Sequence, residues 1–385
     1  MTIRKSDTAT PRDYCMVGSK PEHRLSQFER LTLTGGRELD RALLHVGRQM
    51  TLFSAESGLT PFSANSFQEA VRFYGESAPD LREQLRSGGA RARYELYPVH
   101  GLYDGVVTDV RFESAFQTSH PLARELYDRH PENATVNARW WRHREPPTAT
   151  VVAVHGWTMG DQRLNSLAFL PGVLYRLGLD VVLFELPFHG RRRRGEEPVV
   201  FPSTDIVATN EAMVQSMFDL RSLHSILEAE GAREVGAIGM SLGAYVAAVW
   251  ASVERLAFCV PVVPLVSMSD LAWRVVEANP RLNANGAGVT RDVLEDLFRH
   301  HAPLALHPET PGDRALIVAS RNDAVVPVDQ PERLHAHWNG ARLVWVEGGH
   351  EALFQRSSAF REVVGFLTGR GFIKPPNSAD LHPTS

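Results

Sequence analysis

The stretch Gly239-Met240-Ser241-Leu242-Gly243 decides the fold of this chain. Residues 234–238 before it are mostly apolar and typical of a buried strand. Residues 244–251 after it are small and apolar, as in a buried helix. A Gly-x-Ser-x-Gly turn between a strand and a helix is a nucleophile elbow, which presents the serine hydroxyl at the carboxyl edge of a sheet. The sequence therefore predicts that Ser241 is a nucleophile.

The composition is that of an ordinary soluble globular protein. Of its 385 residues, 43% are apolar and 22% are charged, and the length admits two average domains or one large α/β domain with additions. The net charge of −4 gives no reason to expect a nucleic-acid partner. The two cysteines, Cys15 and Cys259, make no disulfide framework, and Cys259 is expected in the core. No apolar run approaches the length of a membrane span and no signal peptide is evident, so we expect a cytoplasmic protein.

The first hundred residues are expected to form a polar arm and a helical extension. Helical spacing of apolar residues predicts a helix over residues 37–53. Ser66 and Glu69 make a capping box that predicts the start of a second helix, and a third is expected over residues 79–86, ending at Gly88-Gly89. The predicted divisions are an N-terminal arm and extension (1–105), the main domain (106–370) and a disordered tail (371–385).

The pattern changes near residue 106. Residues 107–116 alternate apolar and polar, which is typical of a half-buried antiparallel strand, and residues 135–141 are its expected partner. Residues 149–154 are continuously apolar, as in a central parallel strand. Strands and helices then alternate, which predicts an α/β fold with a doubly wound, mostly parallel sheet covered on both faces. The later predictions are helices over 164–177, 211–230, 242–253, 331–337 and 359–367, and strands over 180–186, 235–238, 256–263, 315–319 and 342–346.

Two residues at strand ends are candidates for the partners of Ser241. A serine hydroxyl is a weak nucleophile that needs an adjacent base held by a carboxylate. In the elbow architecture the acid and then the histidine follow the serine, each past the carboxyl end of a strand. Asp323 follows the strand at 315–319, and His350 follows the strand at 342–346. We therefore predict Asp323 as the acid and His350 as the base, with Asp270, just after the preceding strand, as the rival acid.

Acyl chemistry also needs two backbone N–H groups aimed at the developing negative charge. One is expected from Leu242, the residue after the serine. The other is expected from Trp157, in the loop that follows the strand at 149–154. Gly156 lets this backbone approach a substrate, whereas His155 is expected to steady the loop by a hydrogen bond.

Together, these motifs resemble the α/β-hydrolase superfamily. The resemblance rests on the elbow, Asp323, His350 and the loop at 155–157. It also rests on residues 186–191, which are similar to the family's x-Gly-His-Gly-x-Ser loop but have Phe188 where glycine is common. The same loop has Arg192 where serine is common.

The resemblance covers roughly residues 106–369 and implies a sheet of the α/β-hydrolase type with a helical lid inserted at about 269–307. Apolar lid residues could line an acyl or alcohol pocket, or could simply bury the underside of the lid. These residues are Trp273, Val276, Leu282, Leu294, Leu297 and Phe298.

Four consecutive arginines, Arg191 to Arg194, follow this loop at the expected active-site edge. They could meet a carboxylate or phosphate of a substrate. They could equally be a solvated run, neutralised in part by Glu196 and Glu197, and this second interpretation is the one we favour.

The sequence predicts a serine hydrolase that cleaves a carboxylic ester or related acyl compound through an acyl-enzyme on Ser241. The expected partner is a small-molecule acyl substrate, and this chemistry needs neither a metal nor an organic cofactor. Two alternatives stay open. One is an acyltransferase with the same three residues, and the other is a non-catalytic binding protein or scaffold on the same fold. The sequence does not predict an oligomeric state.

Overall fold

One sheet of nine strands organises the part of the chain that the computed structural model describes, namely residues 64–89, 92–118, 120–195, 197, 199–203, 205–278, 288–347, 349–350 and 358–374. The strand order is β1-β2-β3-β5-β4-β6-β7-β8-β9. The strands are β1 (Tyr94–Leu102), β2 (Gly105–Glu113), β3 (Thr135–His143), β4 (Ala149–Val154), β5 (Leu179–Phe184), β6 (Val235–Met240), β7 (Cys259–Val262), β8 (Leu316–Ser320) and β9 (Arg342–Val346).

The sheet is antiparallel at one end and parallel through the rest. The pairs β1–β2, β2–β3 and β3–β5 are antiparallel, whereas the pairs β5–β4, β4–β6, β6–β7, β7–β8 and β8–β9 are parallel. The strand β4 lies between β5 and β6, so the strand order reverses there. Ligand sites of such sheets lie at the carboxyl ends of the strands beside this reversal.

Helices cover both faces of the sheet. Along β4, Val152 and Val154 belong to one core cluster, and Val151 and Ala153 belong to the other. This alternation confirms the predicted doubly wound sheet. The helices are α1 (Ala64–Ser87), α2 (Pro121–Arg129), α3 (Gln162–Phe169), α4 (Pro171–Arg176), α5 (Ile206–Ala229), α6 (Leu242–Val253), α7 (Met268–Ala278), α8 (Arg291–Phe298), α9 (Asp329–His337) and α10 (Ser358–Gly369).

The N-terminal helices differ from the prediction. Residues 64–87 form the single helix α1, not two helices, and its range includes Ser66, where the second helix was predicted to begin. The helix ends before Gly88, as predicted. The buried side chains of α1 join the core cluster that also contains the lid helix α8, and α1 contacts both α5 and α8. The helix predicted over 37–53 lies outside the described residues.

Two further elements were not predicted. The strand β1 contains Pro98 and a register shift beside it, and it is exposed along most of its length because it is the edge strand. The sheet therefore begins before residue 106. The helix α2 is short and begins at Pro121.

Near the C-terminal end of the described chain, Phe372 and Ile373 are buried in the core. The packed chain therefore extends past residue 371, where the tail was predicted to begin.

The helix predicted over 164–177 is in fact two helices. Leu170 has a left-handed backbone with φ of 47°, and Pro171 follows it as the first residue of α4. A proline disfavours the α conformation of the residue before it, which ends α3.

Within the described ranges, no helix combines the length and apolar character needed to cross a bilayer.

Candidate active site

Ser241 lies in a strained turn between β6 and α6. Its φ is 56° and its ψ is −113°, a conformation that L-residues with side chains rarely adopt. The two flanking glycines are required by close backbone contacts. A Cβ on Gly239 would collide with the carbonyl oxygen of Gly243, and a Cβ on Gly243 would collide with the carbonyl oxygen of Val154. The structure thus has the geometry of a nucleophile elbow.

His350 joins Ser241 to Asp323. Its Nε2 lies 2.8 Å from Oγ of Ser241, and its Nδ1 lies 2.7 Å from Oδ2 of Asp323. Because a carboxylate accepts only, Nδ1–H donates to Asp323 and Nε2 is left to accept the serine hydroxyl proton. The side chains of His350 and Asp323 are 6% and 4% exposed, so this pair is largely shielded from water. The structure therefore brings together the three residues that the sequence selected.

The loop after β8 fixes the carboxylate of Asp323. Its Oδ1 accepts hydrogen bonds from the backbone N–H groups of Val325 and Val326, each 2.8 Å long. The rival acid, Asp270, does not contact His350. It forms ion pairs with Arg291 and Arg333 instead.

The loop after β4 approaches the serine. A Cβ built on Gly156 would lie 3.6 Å from Cβ of Ser241 and 3.5 Å from the carbonyl oxygen of Met240. Leu242 is the first residue of α6, where backbone N–H groups have no partner within the helix. Neither the N–H of Leu242 nor that of Trp157 donates a hydrogen bond to another described residue. Both amides therefore remain candidates for an oxyanion site.

His155 ties the loop after β4 to the loop after β5. Its Nδ1–H donates to the carbonyl oxygen of Gly156 at 2.8 Å, and its Nε2 accepts from the N–H of Leu186 at 3.1 Å. Burial lowers the pKa of His155 to about 4, so the imidazole is neutral at neutral pH. These contacts match the steadying role expected from the sequence.

The arginine run is not the solvated surface that we favoured. Arg192 is fully buried, and its Nη2 lies 2.8 Å from Oδ2 of the equally buried Asp219. Arg191 forms ion pairs with Glu185 and Asp109 at 2.9 and 2.8 Å. Arg192 is therefore internal, whereas Arg191 is partly exposed but paired, and both hold the loop after β5 against neighbouring elements.

The outer part of the run is closer to the favoured interpretation. Arg194 is 53% exposed, and its Nε lies 3.7 Å from Oε1 of Glu197. Glu196 lies outside the described residues.

Phe188, which replaces a common glycine, has φ of 59° and is fully buried, so its ring fills the core in a backbone conformation that glycine adopts more readily.

The apolar lid residues mainly bury the underside of the lid. Val276, Leu294, Leu297 and Phe298 are all buried in one core cluster, and Trp273 packs against it partly exposed. Leu282 lies outside the described residues. These observations agree with the second of the two roles considered from the sequence.

Glu185 is a functional candidate that sequence reasoning missed. It follows β5 directly and is fully buried, and it accepts hydrogen bonds from Gln162 and from Arg191. The available signal was a carboxylate just past an apolar strand, which is the same signal that identified Asp323.

Comparisons of sequence find two relatives whose names state no activity. No protein-family model matches it. Uncharacterized protein Rv2627c of Mycobacterium tuberculosis (strain ATCC 25618 / H37Rv) and uncharacterized protein MT2702 of M. tuberculosis (strain CDC 1551 / Oshkosh) are each 31% identical to it over 277 residues. The aligned part covers 69% of this chain and 65% of each relative, which is less than two thirds of the relatives' length.

Comparisons of structure find the same architecture in two esterases. Acetyl xylan esterase 1 from Thermoanaerobacterium sp. JW/SL YS485 superposes with a TM-score of 0.52 at 15% identity, covering 77% of this chain and 93% of that one. An acetyl xylan esterase from Paenibacillus sp. R4 gives a TM-score of 0.53 at 13% identity, covering 78% and 94%. At these identities the likeness concerns the fold alone.

Proposed function

The chain has the α/β-hydrolase fold, and on this premise we propose that it is a serine hydrolase that cleaves a carboxylic ester or related acyl compound. The observation that carries the proposal is the pair of hydrogen bonds by which His350 joins Ser241 to Asp323. A fold alone does not specify an activity, whereas this arrangement has a definite chemical use.

In the proposed reaction, Oγ of Ser241 attacks the carbonyl carbon while Nε2 of His350 takes its proton. The carboxylate of Asp323 holds the imidazole in the required tautomer and stabilises the imidazolium that forms. The N–H groups of Trp157 and Leu242 stabilise the negative oxygen of the tetrahedral intermediate.

The intermediate collapses when His350 gives its proton to the leaving oxygen. The acyl group is then bound to Ser241, and the alcohol departs. His350 next takes a proton from water, whose oxygen attacks the acyl carbon. The second tetrahedral intermediate collapses as His350 gives this proton to Oγ of Ser241, which releases the acid and restores both the serine hydroxyl and the neutral imidazole.

A short acyl ester is the first substrate class to test. The two similar structures described above are both acetyl xylan esterases by name, which favours esters over amides as a starting point.

The test is a screen of p-nitrophenyl esters from acetate to decanoate with wild type, Ser241→Ala and Ser252→Ala. Ser252 is a buried serine of α6 whose hydroxyl donates to the carbonyl of Ala248, so its replacement is a matched control. We expect Ser241→Ala to lose at least about 10³-fold in kcat and the control to stay near wild type. Ester hydrolysis that survives Ser241→Ala would mean that another group is the nucleophile.

A further inference from the structure

The lid helix α7 contacts the loop that carries Asp323. This acid loop spans residues 321–328, between β8 and α9. Nη1 of Arg274, an exposed residue of α7, donates a hydrogen bond of 3.0 Å to the carbonyl oxygen of Val325 in the acid loop. The acyl chemistry proposed above does not use Arg274.

The carbonyl that Arg274 holds belongs to the same peptide unit as a hydrogen-bond donor to Asp323. The C=O of Val325 and the N–H of Val326 share this unit, and the N–H donates to Oδ1 of Asp323 at 2.8 Å. Because a trans peptide unit is planar, its C=O and N–H point in opposite directions, and holding one group also directs the other. A hydrogen bond to the C=O also polarises the unit and makes its N–H a better donor. Arg274 therefore acts on Asp323 across one peptide plane.

The hydrogen bonds continue from Asp323 to the proposed nucleophile. Oδ2 of Asp323 accepts from Nδ1–H of His350 at 2.7 Å, and Nε2 of His350 lies 2.8 Å from Oγ of Ser241. A cation on the lid and the hydroxyl of Ser241 are thus the two ends of one continuous series of contacts. Hydrogen bonds in such a series strengthen one another.

Apolar packing joins the lid helix to the acid loop as well. Val326 is buried, and its core cluster also contains Val276, a buried residue of α7. The N–H of Val266, two residues before α7, donates to Oε1 of Gln330 in α9 at 2.8 Å. The hydrogen bond of Arg274 therefore forms between elements that already pack together, which lowers the conformational entropy lost in making it.

We propose that Arg274 is a positioning residue for Asp323, so that the orientation of the catalytic acid depends on the seating of the lid helix α7. Arg274 acts through the Val325–Val326 peptide and is not itself a catalytic residue. The proposal rests on the proposed function for the use of Asp323 in catalysis, whereas the contact between α7 and the acid loop does not require hydrolysis.

The first test is the substitution Arg274→Met, which keeps an unbranched side chain and removes the donor. We expect kcat on the best ester of the screen to fall about two- to tenfold with KM unchanged, the range for one hydrogen bond. A lid residue that only binds the substrate would change KM instead. The matched control is Arg299→Met, because Arg299 is an exposed lid arginine that pairs with Asp296. It should keep both kcat and KM.

A double variant tests whether Arg274 acts through Asp323. In Asp323→Asn the side chain that Arg274 positions no longer works as the acid, so adding Arg274→Met should cause no further loss of kcat. The same fractional loss in both backgrounds would overturn the proposal. So would an unchanged kcat in Arg274→Met, an effect on KM alone, or an equal loss in Arg299→Met.

Hydrogen exchange at the Val326 amide, followed by NMR, tests the contact without any substrate. We expect this amide to exchange about two- to tenfold faster in Arg274→Met than in wild type, because its hydrogen bond to Asp323 is weaker, and at the wild-type rate in Arg299→Met. Equal exchange in wild type and Arg274→Met would overturn the inference even if esters are hydrolysed. If no ester is hydrolysed but the exchange changes as expected, the proposed function fails and the contact stands.

Discussion

Nδ1 of His350 lies 2.7 Å from Oδ2 of Asp323, although the two residues are separated by a whole helix and strand in the sequence. The contact forms because β8 and β9 are parallel neighbours, so the loops after them leave the same edge of the sheet. The other carboxylate oxygen of Asp323, Oδ1, accepts hydrogen bonds from two backbone N–H groups of the loop after β8. The orientation of the base therefore depends on one buried carboxylate.

Replacing that carboxylate tests its role. In Asp323→Asn, the amide oxygen can still accept from the loop backbone, and the amide nitrogen then faces Nδ1 of His350. A donor at that position favours the tautomer with a proton on Nε2, which cannot accept from Ser241. We expect kcat to fall about 10³- to 10⁴-fold with little change in KM, measured on the best ester of the screen.

Asp270→Asn is the control for this substitution, since Asp270 pairs with Arg291 and Arg333 and not with the histidine. It should retain activity within about twofold. An Asp323→Asn protein with near-wild-type kcat would contradict the assignment of the acid.

The contact between Gly243 and the carbonyl of Val154 predicts a stability effect. An added methyl group has no space there, and the obstacle is backbone that cannot rotate away. Gly243→Ala should lower the free energy of unfolding by roughly 2–4 kcal/mol in urea titrations. Gly365→Ala is the comparison, because this exposed glycine of α10 has no atom within 4 Å of its would-be Cβ. It should raise stability by up to about 1 kcal/mol, and a similar loss in both proteins would rule out the steric explanation.

The buried pair of Arg192 and Asp219 predicts that two arginines of the same run differ greatly in their effect on stability. Arg192→Met leaves a buried carboxylate without its cation and should lower the free energy of unfolding by about 3–5 kcal/mol. Arg194→Met changes an exposed side chain and should stay within about 0.5 kcal/mol. The double variant Arg192→Met/Asp219→Leu should recover part of the loss, as calorimetry or urea titration would show. Equal effects of the two single variants would restore the solvated interpretation of the run.

The lowered pKa of the buried His155 predicts that the free energy of unfolding falls in acid. Its pKa is about 4 in the folded chain and near 6.5 when unfolded, so the unfolded chain binds a proton that the folded chain does not between these values. This proton binding lowers the free energy of unfolding. The loss is absent above pH 6.5 and grows as pH falls, by up to about 1.4 kcal/mol per pH unit. His155→Asn should therefore show a smaller fall in unfolding free energy from pH 7 to pH 5 than wild type. Identical pH dependence in the two proteins would remove His155 as a source.

The sequence was enough to find Ser241, Asp323 and His350, because each follows a short apolar strand and parallel strands bring their carboxyl ends together. The doubly wound sheet was predictable for the same reason. Strand ends are visible locally as a change from apolar residues to Gly, Asn and Asp.

Features that depend on distant partners were not predictable. Arg192 and Arg194 look alike in the sequence, and only the packing of α5 shows that Asp219 meets the first and not the second. The edge strand β1 was not predicted for two reasons. It contains Pro98, and its position at the edge leaves most of its side chains exposed and without a clear apolar pattern. The roles of the Trp157 and Leu242 amides stay predictions.

The most direct test of the central claim is labelling with an alkyl fluorophosphonate, followed by intact-mass measurement and peptide mapping. A serine activated by a histidine reacts with this probe, whereas an ordinary serine hydroxyl does not. We predict one adduct per chain, on Ser241, and no adduct in Ser241→Ala. Wild-type protein that stays unlabelled at Ser241 while a known serine hydrolase reacts fully under the same conditions would contradict the account.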